Sequence, residues 1–211
     1  MIGIISAFGA AISWTYACFI WRSQTEKYHS IDINLLKNII AFLIFLPAFI
    51  NISVLNDLKS IIILLISGVI GIGLGDTFYI KSLQLIGTRR TLSIETLSPL
   101  LAALSGVIFI DENLAFRSYV GIIIISISLF ILLRQRTNLV VNNLTTITEK
   151  NNLSIYIFPF LSVIFAVSGG LLSRIVFLES NLSPFQTTEI RLLGAITVSY
   201  THLTLPTTVF V

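Results

Sequence analysis

Seven apolar stretches, each near the length a helix needs to cross a bilayer, take up most of this 211-residue chain. Six run from about Ile2 to Trp21, Leu35 to Val54, Ile61 to Leu85, Leu92 to Ile110, Ser118 to Leu133 and Ile155 to Leu172; the seventh starts near Pro184. A crossing takes about 20 mostly apolar residues, because in lipid every backbone N–H and C=O has to be satisfied inside its own helix. Composition points the same way. The chain is 55% hydrophobic and 11% charged, where a soluble domain carries about 25% charged residues. So few charges cannot cover a water-facing surface, so the expectation is an all-α, polytopic membrane helix bundle solvated by a lipid bilayer. The net charge of +3 rests on few residues and gives no reason to expect nucleic acid. Cys18 is the single cysteine, which excludes an intramolecular disulfide and a thiolate metal cluster. The first 21 residues lack a basic leader and a small-residue cleavage site, so they read as a mature helix.

The segments between the spans set the organisation. "NDLK" and "DENLAFR" read as tight turns, and "LIGTRR" joins the third and fourth spans. The polar, Asn/Thr-rich run at residues 134–154 separates five helices, residues 1–133, from the remainder of the chain. A faint repeat relates "AISWTYACFIWRS…INLLKNIIAFLIF" to "FAVSGGLLSRIVFLES…TTEIRLLGAITV", pairing Ser13 with Ser168 and, after a one-residue gap, Lys37 with Arg191. A five-helix unit that begins again after an odd number of spans must be inverted, and inverted repeats mark secondary transporters. Residues 155–198 therefore read as the start of a second, inverted unit. Residues 199–211, "SYTHLTLPTTVFV", break the apolar pattern with Thr, His and Pro and read as a non-native tail. Basic residues crowd one set of alternate gaps and helix ends (Arg22, Lys27, Lys37, Lys81, Arg89, Arg90, Arg134, Arg136, Lys150) over the other (Lys59, Arg117, Arg174). That bias alone would place the N-terminus outside.

The run "GVIGIGLGDTFYIKS" invites a nucleotide-loop reading, but it has neither a preceding strand nor a phosphate-loop spacing. At 100° per residue, Gly68, Gly71 and Gly75 fall within roughly 60° of one another, with Tyr79 on the same face. Such a face lets another helix backbone approach closely. The adjoining Asp76 is a carboxylate deep in an apolar span, where it needs protein, water or a partner. Lys81 is about 140° away around the helix and is poorly placed to be that partner.

The fourth span, "TLSIETLSPLLAALSG", carries the stronger signal. Thr91, Glu95, Ser98, Ala102, Ser105 and Gly106 make a small or polar face. Pro99 has no N–H, so the Glu95 carbonyl loses its helical donor where the carboxylate stands. A broken helix beside an intramembrane acid is how transporters build proton, ion or amine sites. A carboxyl there can exchange a proton for a cationic or zwitterionic substrate, with the proton as coupling ion. Span one offers a matching small face through Gly3, Ser6, Ala10, Ser13 and Ala17, flanked by Trp14. Asp76, Tyr79, Glu95, Thr91, Ser98, Pro99, Ser13 and Trp14 are thus the candidate path residues, and Gly68, Gly71, Gly75 and Gly106 the candidate packing positions. His29 has no partner at a metal-ligand spacing. Asn51, Asn143, Asn152 and Asn181 head N-x-[ST] triplets of the kind an Asn-rich chain contains by chance. Neither a nucleophile with its base nor a cofactor motif is found, so the chain does not read as an enzyme.

The stretch from Gly75 to Gly121 resembles the EamA family of the drug/metabolite transporter superfamily. The resemblance lies in the Gly-rich third helix, the Ser82-Leu83 step, the short link, the helix centred on Pro99, the acidic Glu112 before the next helix, and Gly121. It implies ten helices in two inverted halves, of which this chain carries about seven, and movement of a small metabolite, amino acid or drug between the halves. Relatives are drawn with the N-terminus inside, so orientation stays open. The expected setting is the cell membrane of a bacterium, with a homo-oligomer open. The competing expectation is a non-transporting membrane protein serving as a structural or assembly subunit.

Overall fold

The computed structural model describes residues 2–47, 58–134, 153–180 and 182–204. Residues 48–54 of the expected second span, most of the 134–154 linker, residues 205–211 of the tail, and Asn51, Asn143, Asn152 and Asn181 lie outside the described residues. The described chain is helical throughout. Helix α1 is Ile2–Gln24, α2 Ser30–Phe45 and α3 Leu58–Gly68. A π-helical segment, Val69–Gly75, joins α3 to α4, Asp76–Glu95. Then come α5, Ser98–Ile110, and α6, Phe116–Arg134. A short 3-10 turn, Leu153–Tyr156, leads into α7, Ile157–Glu179, and α8 is Pro184–Thr204. Helix α8 thus runs past Val198, where the native pattern was expected to stop, and Ser199 is buried.

Two helical runs are long and apolar enough to cross a bilayer, Leu58–Glu95 and Ser154–Glu179. The first has 38 residues. Unbroken, it would reach about 57 Å, nearly twice the hydrocarbon thickness of about 30 Å. Gly87 interrupts it with φ 80° and ψ 166°, a backbone state open to glycine for want of a Cβ. This glycine lies in the "LIGTRR" link expected between the third and fourth spans. A second break occurs at Thr96–Leu97, where the Leu97 N–H reaches back only to the Ile94 carbonyl at 3.0 Å. Pro99 then sits in the first turn of α5, where its missing N–H costs nothing. The expected single span from Leu92 to Ile110 is therefore two helices.

The path through α3, the π segment and α4 is the centre of the bundle. α7 and α8 pack along it, α2 packs on α8 and α4, and α1 packs on α4. α5 rests on α7, and α6 on α4 and α5. One apolar cluster joins Leu64, Val176 and Ile190, and a second joins Cys18, Ile33, Tyr79, Ile80 and Leu83. Large apolar side chains such as Phe8, Ile12, Tyr16, Phe116 and Ile123 point outward. So much exposed apolar surface suits lipid and not water. Gly3, Ser6, Ala10 and Ser13 are also exposed, so the small face of α1 meets no described neighbour at its N-terminal end, while Ala17 is half-buried.

Candidate functional site

The glycine seam holds α7 and α8 against the central helix. A Cβ on Gly71 would lie 3.2 Å from the Gly169 Cα and 3.1 Å from Arg191 Nη2. A Cβ on Gly75 would lie 3.2 Å from the Ala166 nitrogen, and one on Gly68 would strike the Arg191 carbonyl. Gly169 is equally committed, since a Cβ there would fall 2.5 Å from the Gly71 Cα. Ser67 Oγ adds a hydrogen bond to the Gly169 carbonyl at 2.7 Å.

The π segment alters the face that α-helical spacing predicts. Gly71, Gly73 and Gly75 are all buried, although a 100° step would turn Gly73 away from the other two. Tyr79, expected on the glycine face, is instead turned toward α1. Its hydroxyl meets Cys18 Sγ at 2.9 Å, and its ring lies 5.5 Å from that of Trp14. A wide i→i+5 turn disturbs the regular backbone bonding, and here the amide of Asn34 from α2 meets it. Asn34 Nδ2 donates to the Ile72 and Gly73 carbonyls at 2.9 and 3.0 Å and lies 3.0 Å from Thr77 Oγ1.

Asp76 opens α4 directly after the π segment. Lys37 Nζ from α2 pairs with its Oδ2 and also sits 5.4 Å over the Trp21 ring. Arg191 of α8 is a second cation in its electrostatic reach. Cations on two helices, α2 and α8, thus bear on one carboxylate. Lys81 takes no part and donates to Gln84 Oε1 at 2.9 Å.

Glu95 closes α4 and is half-buried. Ser98 Oγ donates to its Oε1 at 3.1 Å, and among the described residues no cation pairs with it. Two cavities meet at Glu95 and Pro99. One, of about 550 Å³, lies between α5 and α7 and includes Ser98, Ser105 and Gly106. At its edge Arg174 of α7 donates from Nε and Nη2 to Glu112 Oε1, at 3.0 and 2.8 Å. The other, of about 450 Å³, lies among α1, α4, α5 and α6 and is lined by Trp14, Leu92, Thr96, Ile124, Ile125 and Ser128.

The structure therefore brings Glu95 and Pro99 to both cavities, Ser98 to the larger and Trp14 to the smaller, and leaves the other candidate path residues apart. Thr91 is buried and donates to the Gly87 carbonyl at 2.9 Å, and Ser13 is exposed. Gly106 is buried, and a Cβ there would lie 2.9 Å from Glu112 Oε2. Sequence reasoning did not find Asn34 as partner of the π segment, Lys37 as partner of Asp76, or Arg174 as partner of Glu112. An amide and a lysine inside an apolar run were the available signal. It also passed over Glu189 of α8, which is fully buried with neither carboxylate oxygen meeting a donor among the described residues. Glu189 lines neither cavity.

No curated protein and no solved structure matches the chain. A match to a described family does extend from the first residue through the end of α6, and so takes in the central-helix glycines of the seam, the Lys37–Asp76 pair and the Glu95–Pro99 break. Across residues 1–134 that family is the EamA-like transporter family, and the chain, a membrane-integral all-α protein, belongs to it.

Proposed function

We propose that this protein carries a small metabolite, amino acid or drug-like molecule across the membrane, with Glu95 as the acid that meets both substrate and coupling proton. Membership of the EamA-like transporter family supports the movement of a small molecule. The observation that carries the reading is the position of Glu95. It is a carboxylate that pairs with no cation among the described residues, at a break between two helices, on the shared wall of two cavities. Asp76, by contrast, is paired with Lys37.

In this reading residues 1–133 form one five-helix unit, residues 134–154 link it onward, and residues 155–198 begin a second, inverted unit. The faint sequence repeat that pairs Ser13 with Ser168 and Lys37 with Arg191 supports that relation. The test is pH-dependent uptake or export by the complete protein in cells or vesicles. Glu95→Gln keeps the shape of the side chain and removes its titration, and it should abolish the pH dependence while expression stays near normal. An unchanged pH profile in that variant would return Glu95 to a structural role, and absence of any transport by the complete protein would favour the assembly-subunit alternative.

A further inference from the structure

The larger cavity lies between two helices that are held unequally. α7 is fixed, because its Gly169 closes on Gly71 along the seam. Gly170, the next residue, lines the cavity, and a Cβ there would meet nothing within 4 Å. α5 is held more lightly. It hangs between two non-helical links, Thr96–Leu97 and residues 111–115. Ala102 and Gly106 of α5, with Ala166 and Gly170 of α7, line a space of about 550 Å³. Side chains this small leave room where longer ones would interlock. One ion pair joins the two sides, with Arg174 Nε and Nη2 on Glu112 Oε1 at 3.0 and 2.8 Å. We propose that Glu112 and Arg174 are gating residues. Their ion pair is a latch that holds the end of α5 to α7, and its release lets α5 swing about Thr96–Leu97 and widen the cavity. The purpose of that opening rests on the transport reading; its geometry stands without it.

Local structure aims Glu112 at its partner. Asp111 caps α5 in the left-handed region, at φ 53° and ψ 33°, and is the one non-glycine residue with positive φ among the described residues. Aspartate tolerates that state better than most side chains. The turn folds the chain back, so that the N–H groups of Asp111 and Glu112 both reach the Gly106 carbonyl, the second at 3.2 Å. Gly106 then gives Glu112 a socket. A Cβ there would lie 2.9 Å from Oε2, while Oε1 is held by Arg174. The strength of the pair suits release. The Arg174 side chain is 55% exposed and that of Glu112 34%. Exposed pairs contribute little and are screened by salt, so this one can part without stranding a buried charge. The mostly buried Lys37–Asp76 pair lacks that freedom. A hinge needs a few residues at element ends that absorb a change of φ and ψ. At Thr96–Leu97 the Leu97 N–H reaches only the Ile94 carbonyl, and Pro99 has no N–H to tie α5 back to Glu95.

Pulsed electron paramagnetic resonance on the purified full chain in detergent tests the latch. Spin labels go on Phe109→Cys of α5 and Leu178→Cys of α7, both exposed, in a Cys18→Ala background that removes the single native thiol. The expected distance distribution has a short, latched population and a longer, released one. Glu112→Gln and Arg174→Gln should each raise the ratio of long to short by about two- to fivefold, and the exchange Glu112→Lys/Arg174→Glu should restore it. High salt should raise the ratio while the pair is intact and leave Glu112→Gln unmoved. Gly106→Ala keeps both charges but fills the socket, so it should also favour the longer distance, which keeps the test decisive if the charge variants do not fold. A distribution that ignores all of these changes would overturn the latch and leave Glu112–Arg174 as a surface contact. The same result, with pH-dependent transport by the complete protein still lost in Glu95→Gln, overturns the latch and leaves the transport reading intact. Populations that shift as expected, with no transport by the complete protein, support the latch and overturn the transport reading alone.

Discussion

Asp76 and Glu95 lie on either side of the Gly87 kink in α4 and meet opposite fates. Asp76 is held from α2 by Lys37, within reach of Arg191, beside a seam where backbones touch. Glu95 stands at a chain break with Ser98 as its one donor among the described residues, and open space on two sides. A charge taken out of water is costly unless it is paired or neutralised. The fold answers that cost at Asp76 with a lysine and leaves it to a ligand or a proton at Glu95. An acid in a membrane span is therefore a weak sign of function by itself, and whether the fold supplies its countercharge is the stronger one.

The largest effect should come from the seam beside Asp76. Gly71→Leu would drive a side chain into Gly169 and Arg191, and the folded, monodisperse fraction after detergent extraction should be lost. Gly121→Leu in α6, where a Cβ meets nothing within 4 Å, should extract normally. Next in size is the pair itself. Lys37→Met strands a mostly buried carboxylate and should cost about 3 kcal/mol, read as a lower melting temperature. The Lys37→Met/Asp76→Asn double variant should recover at least half of that loss, because both buried charges are then gone. Glu95→Gln should shift stability by less than about 1 kcal/mol, since only one neutral hydrogen bond changes. A destabilisation equal to that of Lys37→Met would end the contrast between the two acids. The smallest effect belongs to the exposed Glu112–Arg174 pair, where Arg174→Met should cost at most about 1 kcal/mol in the same melting assay.

How much of this could be read from the chain depends on how local each feature is. Apolar length located the helices because the bilayer dictates it. The break near Glu95 was legible because proline removes a specific donor, although its place two residues after Glu95 and the split into α4 and α5 came only with the structure. The glycines announced a close approach but not the partner. Gly169 lies about a hundred residues away, and small residues on one helix do not name those on another. The π segment carried no signature of its own, so a face computed at 100° per residue assigned Tyr79 to the wrong neighbours. Lys37 was legible as a basic residue near a helix end and was counted toward orientation, because a pair 39 positions apart is a tertiary fact.

The seam also sets a schedule. Gly71 and Gly75 leave the ribosome early, whereas Ala166 and Gly169, which close on them, emerge about 90 residues later. At about 5–20 residues per second, the interval is roughly 5–20 s. During that time the central helix lacks the α7 backbone that fills its groove, and lipid acyl chains are available to occupy it. The arrival of α7 must displace them, so insertion of the early helices and completion of the fold are separate events, with a vulnerable intermediate between them.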